Sequence, residues 1–171
     1  LVGLLEPLKS KLKLDMRVCS SFGFDDILPE NLQILWKENF RLMHLARSIH
    51  LKRSFVSADA INPEDIQVIM TCDAATSMCG VAAYCYQPLK NGSFSVNLIT
   101  ARSRSVSQTI PRNELESLVL AAETLFCINK ALGSRVSKYW VLSDSEIVVC
   151  WVHNVSRPLR QYCFNRIQHI R

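Results

Sequence analysis

Apolar positions along the chain change period several times. From Ile66 to Cys72 the sequence Ile-Gln-Val-Ile-Met-Thr-Cys is rich in apolar and β-branched residues, the composition of a strand buried on both faces. Gly80 to Tyr86 reads as a second strand. Only Ala-Ala-Thr-Ser-Met-Cys stands between it and Asp73, a connection short enough for an antiparallel partner. Gln87-Pro-Leu-Lys-Asn-Gly92 is a turn, and Ser93 to Thr100 alternates Phe94, Val96 and Leu98 on one face as a third strand. The period then becomes helical. Pro111 suits a first helical turn, Leu115, Leu118, Val119, Ala122, Leu125 and Phe126 keep one apolar face, and Gly133 stops the helix. Lys138 to Asp144 is a fourth strand, Ser145 to Val152 a short helix, and Pro158 a break. Leu159 to Arg171 predicts a last helix with Tyr162, Cys163, Ile167 and Ile170 inward.

Before the first strand the pattern is helical. Leu1 to Ser21 is amphipathic and carries lysines. Asp25-Asp26-Ile-Leu-Pro29-Glu30 holds helix-start signals, followed by Leu32, Leu35, Trp36, Phe40, Met43 and Ala46 at helical spacing. Arg53 to Asp65, with Asn62-Pro63, reads as a linker. The core order is therefore β-β-β-α-β-α. Short connections make Ile66–Cys72, Gly80–Tyr86 and Ser93–Thr100 consecutive antiparallel strands. The helical crossover sets Tyr139–Ser143 parallel to the first. The expected fold class is α/β: a mixed sheet with flanking helices, preceded by a helical segment.

Composition narrows the class. With 49% apolar and 20% charged residues the chain is globular rather than disordered. No apolar run reaches the ~18–20 residues of a membrane span, so no membrane partner is expected. The seven cysteines are odd in number and form no C-x-x-C pair; Cys72, Cys85, Cys127 and Cys150 sit in apolar runs and read as reduced core residues of an intracellular protein. The sequons at Asn91 and Asn154 are then coincidental. Charge is uneven: up to Asp73 ten acids face nine bases, and from Ala74 onward five acids face eleven. Such a surplus suits a polyanionic partner such as nucleic acid, or is simply a basic surface.

Three carboxylates stand out. Asp73 and Asp144 each end a buried strand, and Glu114 opens a buried helix just before the apolar Leu115. A crossover that pairs the Asp73 and Asp144 strands would bring these acids together. Their repulsion would be resolved by hard divalent cations with oxygen ligands. Two such ions about 4 Å apart can activate water and stabilise a leaving oxygen in phosphodiester cleavage. Taken singly, Asp144-Ser145 could cap a helix, Asp73 could begin a turn, and Glu114 could complement a helix dipole. The trio persuades only as a set. Glu116 and Glu123 read as solvated, and the histidines lack ligand spacing.

Several segments resemble the polyproteins of BEL/Pao retrotransposons: Asp26-Ile-Leu-Pro-Glu-Asn-Leu with Trp36, Cys72-Asp73-Ala-Ala with Gly80-Val, Ala-Arg102-Ser-Arg104, Thr-Ile-Pro111-Arg-Asn-Glu114-Leu, Ser-Asp144-Ser145 with Trp151, and Phe164-Asn-Arg166-Ile. The similar part is the ribonuclease H-like domain that follows the reverse transcriptase. The resemblance implies residues 1–24 as the tail of a reverse-transcriptase region, 25–62 as a connecting helix and linker, and 63–171 as an RNase H-like domain truncated at its C-terminus. It implies Asp73, Glu114 and Asp144 as catalytic, metal-binding acids and two Mg²⁺ or Mn²⁺ ions as cofactors. The substrate would be the RNA strand of an RNA–DNA hybrid cleaved during reverse transcription. Neighbouring reverse-transcriptase and integrase regions, and an intracellular setting in a cytoplasmic particle or the nucleus, follow from the same resemblance. Arg102, Arg104 and Arg112 are candidate phosphate contacts. The order Asp, Glu, Asp disfavours an integrase-like nuclease of the same fold. Two departures are plain: the fourth acid expected beyond a fifth strand has no counterpart before Arg171, and Ala75, Met78 and Cys79 differ from the family near the first acid. No Asp-Ser/Thr-Gly motif suggests a protease. The rival is an inactive fragment that binds nucleic acid or only fills space in a polyprotein.

Overall fold

The computed structural model describes residues 3–50, 54–154, 156 and 158–171. The first two residues of the amphipathic opening and the expected start of the linker at Arg53 lie outside them. Two helices, α1 (Glu6–Cys19) and α2 (Glu30–Leu45), precede a four-stranded sheet of β1 (Ile66–Ala74), β2 (Met78–Pro88), β3 (Phe94–Ser105) and β4 (Val136–Leu142). Helix α3 (Ile110–Leu132) crosses from β3 to β4, and α4 (Glu146–His153) and α5 (Gln161–Ile170) follow. Spatial order is β3-β2-β1-β4, with β1–β2 and β2–β3 antiparallel and β1–β4 parallel, as the connection lengths predict. No described helix is long and apolar enough to cross a membrane.

Strand β1 alternates instead of being buried on both faces. Ile66, Val68, Met70 and Cys72 are buried, whereas Thr71 and Asp73 are exposed. The inward set packs with Cys79, Val81, Ala83 and Cys85 of β2 against Leu120, Ala121 and Ile128 of α3. The opposite face is shared with α1, which crosses β3. There Gly3 lies so close to the backbone of Thr100 and Ala101 that a Cβ would clash with the Ala101 nitrogen. A second cluster, Leu115, Val148, Cys163 and Ile167, joins α3, α4 and α5, so the inward face expected for the last helix is the one observed.

The element boundaries depart from the sequence pattern where tertiary neighbours intervene. Strand β2 continues through Gln87 and Pro88, and Gln87 is fully buried, its Oε1 accepting from the Ser57 amide at 3.0 Å. Strand β3 runs on through Arg102-Ser-Arg104, because the antiparallel ladder with β2 extends to Met78–Ser105. Strand β4 is an edge strand, not a buried one; Tyr139 and Leu142 are exposed. In α2, Phe40 faces solvent and its neighbour Asn39 is buried, bonded through Nδ2 to Asp15 of α1 at 2.7 Å. In α3, Phe126 is likewise exposed and the buried arc passes through Leu120, Ala121, Thr124 and Ile128. That helix lies between the sheet and α5, so its covered arc is wide and takes in polar side chains. All seven cysteines are free; Cys72 and Cys85 are buried as expected, but Cys127 and Cys150 are exposed on outer helix faces.

Candidate metal centre

Parallel pairing of β1 with β4 runs in register from Gln67–Lys138 to Thr71–Leu142. Asp73 lies two residues beyond the first member of that last pair and Asp144 two beyond the second, so both chains deliver an acid at the same end of the sheet. Asp73 sits within β1 opposite Gly80, and its Oδ1 accepts from the Ala74 amide at 2.6 Å. Asp144 lies in the tight connection into α4, where the Ser145 amide donates to Ser143 Oγ at 3.2 Å. Ser145 is the N-cap of α4 but makes no side-chain capping bond, so the capping alternative does not account for this pair. Glu114 falls in the second turn of α3, past the first turn to which its position suggested it, since the helix begins at Ile110. The next residue, Leu115, is buried completely in the second cluster, which anchors that side of the helix.

A carboxylate oxygen from each of Asp73, Glu114 and Asp144 lies within 4.8 Å of the others. Asp73 and Asp144 are exposed, and Glu114 is buried beneath them. Burial pushes the Glu114 carboxyl above the ordinary carboxylate range, the Asp73 and Asp144 charges push it further, and the Ala74 amide partly offsets them. Its Oε2 is buried with no hydrogen-bond donor among the described residues. An orphaned buried carboxylate oxygen facing two further acids is costly for the fold alone. The donor set is all oxygen and anionic, which fits Mg²⁺ or Mn²⁺. Cys72, beside the trio, is buried with its Sγ donating to the Leu142 carbonyl at 3.5 Å, and burial raises its thiol pKa.

The basic residues are placed differently. Arg102 and Arg104 are two apart on β3 and reach toward α3. Arg104 Nη2 donates to Glu123 Oε2 at 2.7 Å and Nη1 lies 3.6 Å from Glu116 Oε2, while Arg102 Nη1 donates to Thr124 Oγ1 at 3.4 Å. Glu116 and Glu123 are therefore not the solvated pair their sequence suggested. Glu116 is buried and accepts from Tyr162 at 2.6 Å and Arg166 at 2.8 Å. Burial tends to raise its pKa, but the bonds from Tyr162 and Arg166 hold it below the ordinary value. Burial and Glu116 together push the Tyr162 hydroxyl up to about 12. Arg112 stacks over the Tyr162 ring, its guanidinium carbon 4.9 Å from the centroid.

One residue of consequence has no role that its sequence position suggests. Asn113 is wholly buried, and its Nδ2 donates to the carbonyls of Ala75 at 3.0 Å and Thr76 at 3.2 Å. Its signal is spacing. Asn113 precedes Ser117, Leu120, Ala121, Thr124 and Ile128 by intervals that keep it on the buried arc of α3, and a buried amide needs partners.

The chain is similar in structure to several ribonucleases H. The N-terminal RNase H domain of rv2228c from Mycobacterium tuberculosis is 14% identical, with 62% of this chain and 72% of that chain covered and a TM-score of 0.43. LC11-RNase H1, isolated from compost by a metagenomic approach, is 19% identical over 63% of this chain and 73% of that chain, at a TM-score of 0.41. The same enzyme in complex with an RNA/DNA hybrid gives 22% identity over 62% and 75%, at a TM-score of 0.39. No curated protein sequence matches the chain. The sequence itself matches a retroelement family over residues 2–145, a span that takes in α1, α2, all four strands and α3. The chain belongs to the Pao retrotransposon-like RNaseH-like domain family.

Proposed function

We propose that this domain hydrolyses the RNA strand of RNA–DNA hybrids during reverse transcription of a retroelement, with Asp73, Glu114 and Asp144 as its metal-binding acids. The observation that carries the proposal is the meeting of three carboxylates from three separate elements within 4.8 Å, one of them buried with an unpartnered oxygen. Two Mg²⁺ or Mn²⁺ ions held there would supply Lewis acidity and a more acidic bound water for phosphodiester hydrolysis. Glu114 would form the floor of the site, while the exposed Asp73 and Asp144 leave its mouth open to a bulky duplex.

Arg102, Arg104 and Arg112 are the proposed phosphate contacts. Arg112 stands two residues before Glu114, with its guanidinium oriented by the Tyr162 ring. Arg104 would divide its charge between a phosphate and the carboxylates of Glu116 and Glu123. In the same reading, residues 1–24 are the tail of a reverse-transcriptase region, 25–62 a connector, and 63–171 the nuclease part. An integrase region of the polyprotein would be a further neighbour. The setting would be a cytoplasmic particle or the nucleus.

The test is cleavage of a labelled RNA–DNA hybrid, with binding measured in parallel. Cleavage should be confined to the RNA strand, require Mg²⁺ or Mn²⁺, and vanish in Asp73→Asn. Hybrid binding by that variant should be kept or strengthened, because a negative charge facing phosphate is removed. Full activity in Asp73→Asn, or cleavage in the presence of excess chelator, would refute the assignment.

A further inference from the structure

We infer that Asn113 is the positioning residue that holds the Asp73 strand end and the Glu114 helix at the separation a shared cation requires; this rests on the reading of the trio as a metal site. Asn113 is adjacent to Glu114 in sequence and wholly buried. Its two Nδ2 bonds go to Ala75 and Thr76, the residues that leave β1 just after Asp73 and begin the turn into β2. Its Oδ1 accepts from the Gln108 amide at 3.1 Å, tying the approach to α3 into the same clamp. One amide thus spends both donors and an acceptor on backbone groups of two elements that each carry a metal-binding acid.

Below this point β1 packs on α3 through the core that holds Cys72, Leu120 and Ala121, and the Ala74 amide acts on Glu114; at the turn itself the Asn113 bonds join the hairpin to the helix. The Ala75–Thr76 turn is exposed, and α3 starts at an N-cap, Thr109, that makes no side-chain capping bond. The turn has its own bond from the Ala75 amide to the Met78 carbonyl at 2.8 Å, and the Val106 amide donates to Ser77 at 2.9 Å. Those contacts close the hairpin and fasten it to the end of β3; neither reaches α3. A shift of the turn relative to α3 would change the Asp73–Glu114 separation, and the two Asn113 bonds oppose that shift. A leucine keeps the branched outline of the side chain, though it is larger, and has none of the donors, so it would release the clamp. Removing partners that orient metal ligands typically weakens metal binding by about 10- to 100-fold.

The experiment compares Mn²⁺ affinity, followed by electron paramagnetic resonance, in the unaltered protein, Asn113→Leu, Asn113→Ser and Asn39→Ala. Asn39 is equally buried but joins α1 to α2, so its loss destabilises the protein away from the trio. Asn113→Leu should bind Mn²⁺ about tenfold or more weakly, and its Ala75 amide should exchange hydrogen faster. Asn113→Ser, which keeps one hydroxyl donor, should fall between, and Asn39→Ala should bind like the unaltered protein. If Asn113→Leu does not fold, Asn113→Ser decides: unchanged affinity in either folded variant overturns the inference. An equal loss in Asn39→Ala would overturn it too, as a general effect of lost stability. If the unaltered protein takes up no Mn²⁺, the metal reading fails, and this inference with it.

Discussion

Replacing Glu114 with glutamine separates what the carboxylate trio costs the fold from what it does for a cation. Each neighbouring carboxylate has an oxygen within 4.8 Å of one of Glu114's, where two unit charges repel by about 3.5 kcal/mol at an effective dielectric of about 20. Asp73 and Asp144 are exposed, so solvent and salt cut each interaction to about 1 kcal/mol. Without metal, Glu114→Gln should therefore stabilise the protein at neutral pH by about 1–2 kcal/mol, measured by urea unfolding at low salt. The pH dependence follows from the raised carboxyl. The native state holds the Glu114 proton more tightly than the unfolded chain does. Its penalty is thus absent below the unfolded pKa of about 4.3, grows as pH rises, and is complete above the folded value. The gap between variant and unaltered protein should open over that interval. Adding Mn²⁺ should reverse the order. At a concentration 100 times its Kd the unaltered protein gains about 2.7 kcal/mol, and the variant, lacking a ligand, gains much less. A metal-free variant that is less stable at neutral pH would refute the reasoning, as would equal gains from Mn²⁺.

Two further outcomes are expected. Hybrid binding should weaken steeply with salt, and Arg102→Ala with Arg104→Ala should lower both affinity and the slope of log affinity against log salt, by about 1 for each phosphate that is no longer neutralised. Binding insensitive to salt would leave the basic surplus after Ala74 without a nucleic-acid role. Glu116→Gln should destabilise the fold by about 3 kcal/mol, near the lower end for breaking a buried ion pair because Arg104 and Arg166 are partly exposed. Because the Glu116 carboxyl is held below its unfolded value, that stabilisation is full above the unfolded pKa and lost as pH falls through the folded one. Urea unfolding of both proteins across this acid range should show the gap closing; a gap independent of pH would exclude the ion pair as its source.

The strands, their order and the acids at one end of the sheet are legible in the residues alone. Alternation along a strand and the shortness of a turn are local properties, readable within a few residues, and a helical crossover between strands leaves one pairing direction. So Ile66, Gly80, Phe94 and Tyr139 could each be assigned to a strand, and Asp73 and Asp144 to adjacent ones. Which polar side chains are buried, and what they touch, is set by the folded chain. Glu116 and Glu123 read as solvated because nothing near them in sequence shows Arg104 coming from β3 or Arg166 from α5. Asn113 and Asn39 replace apolar residues on buried helix faces because distant elements set carbonyls or a carboxylate opposite them. Strand β4 read as buried, yet it lies at an edge, since among the described residues no strand pairs with its outer side. The alternation that marks the third strand ends at Thr100, yet the strand runs on to Ser105 because the partner ladder in β2 continues beside it. Periodicity records the average environment of an element, whereas the burial of one polar atom depends on a partner that the fold alone brings into reach.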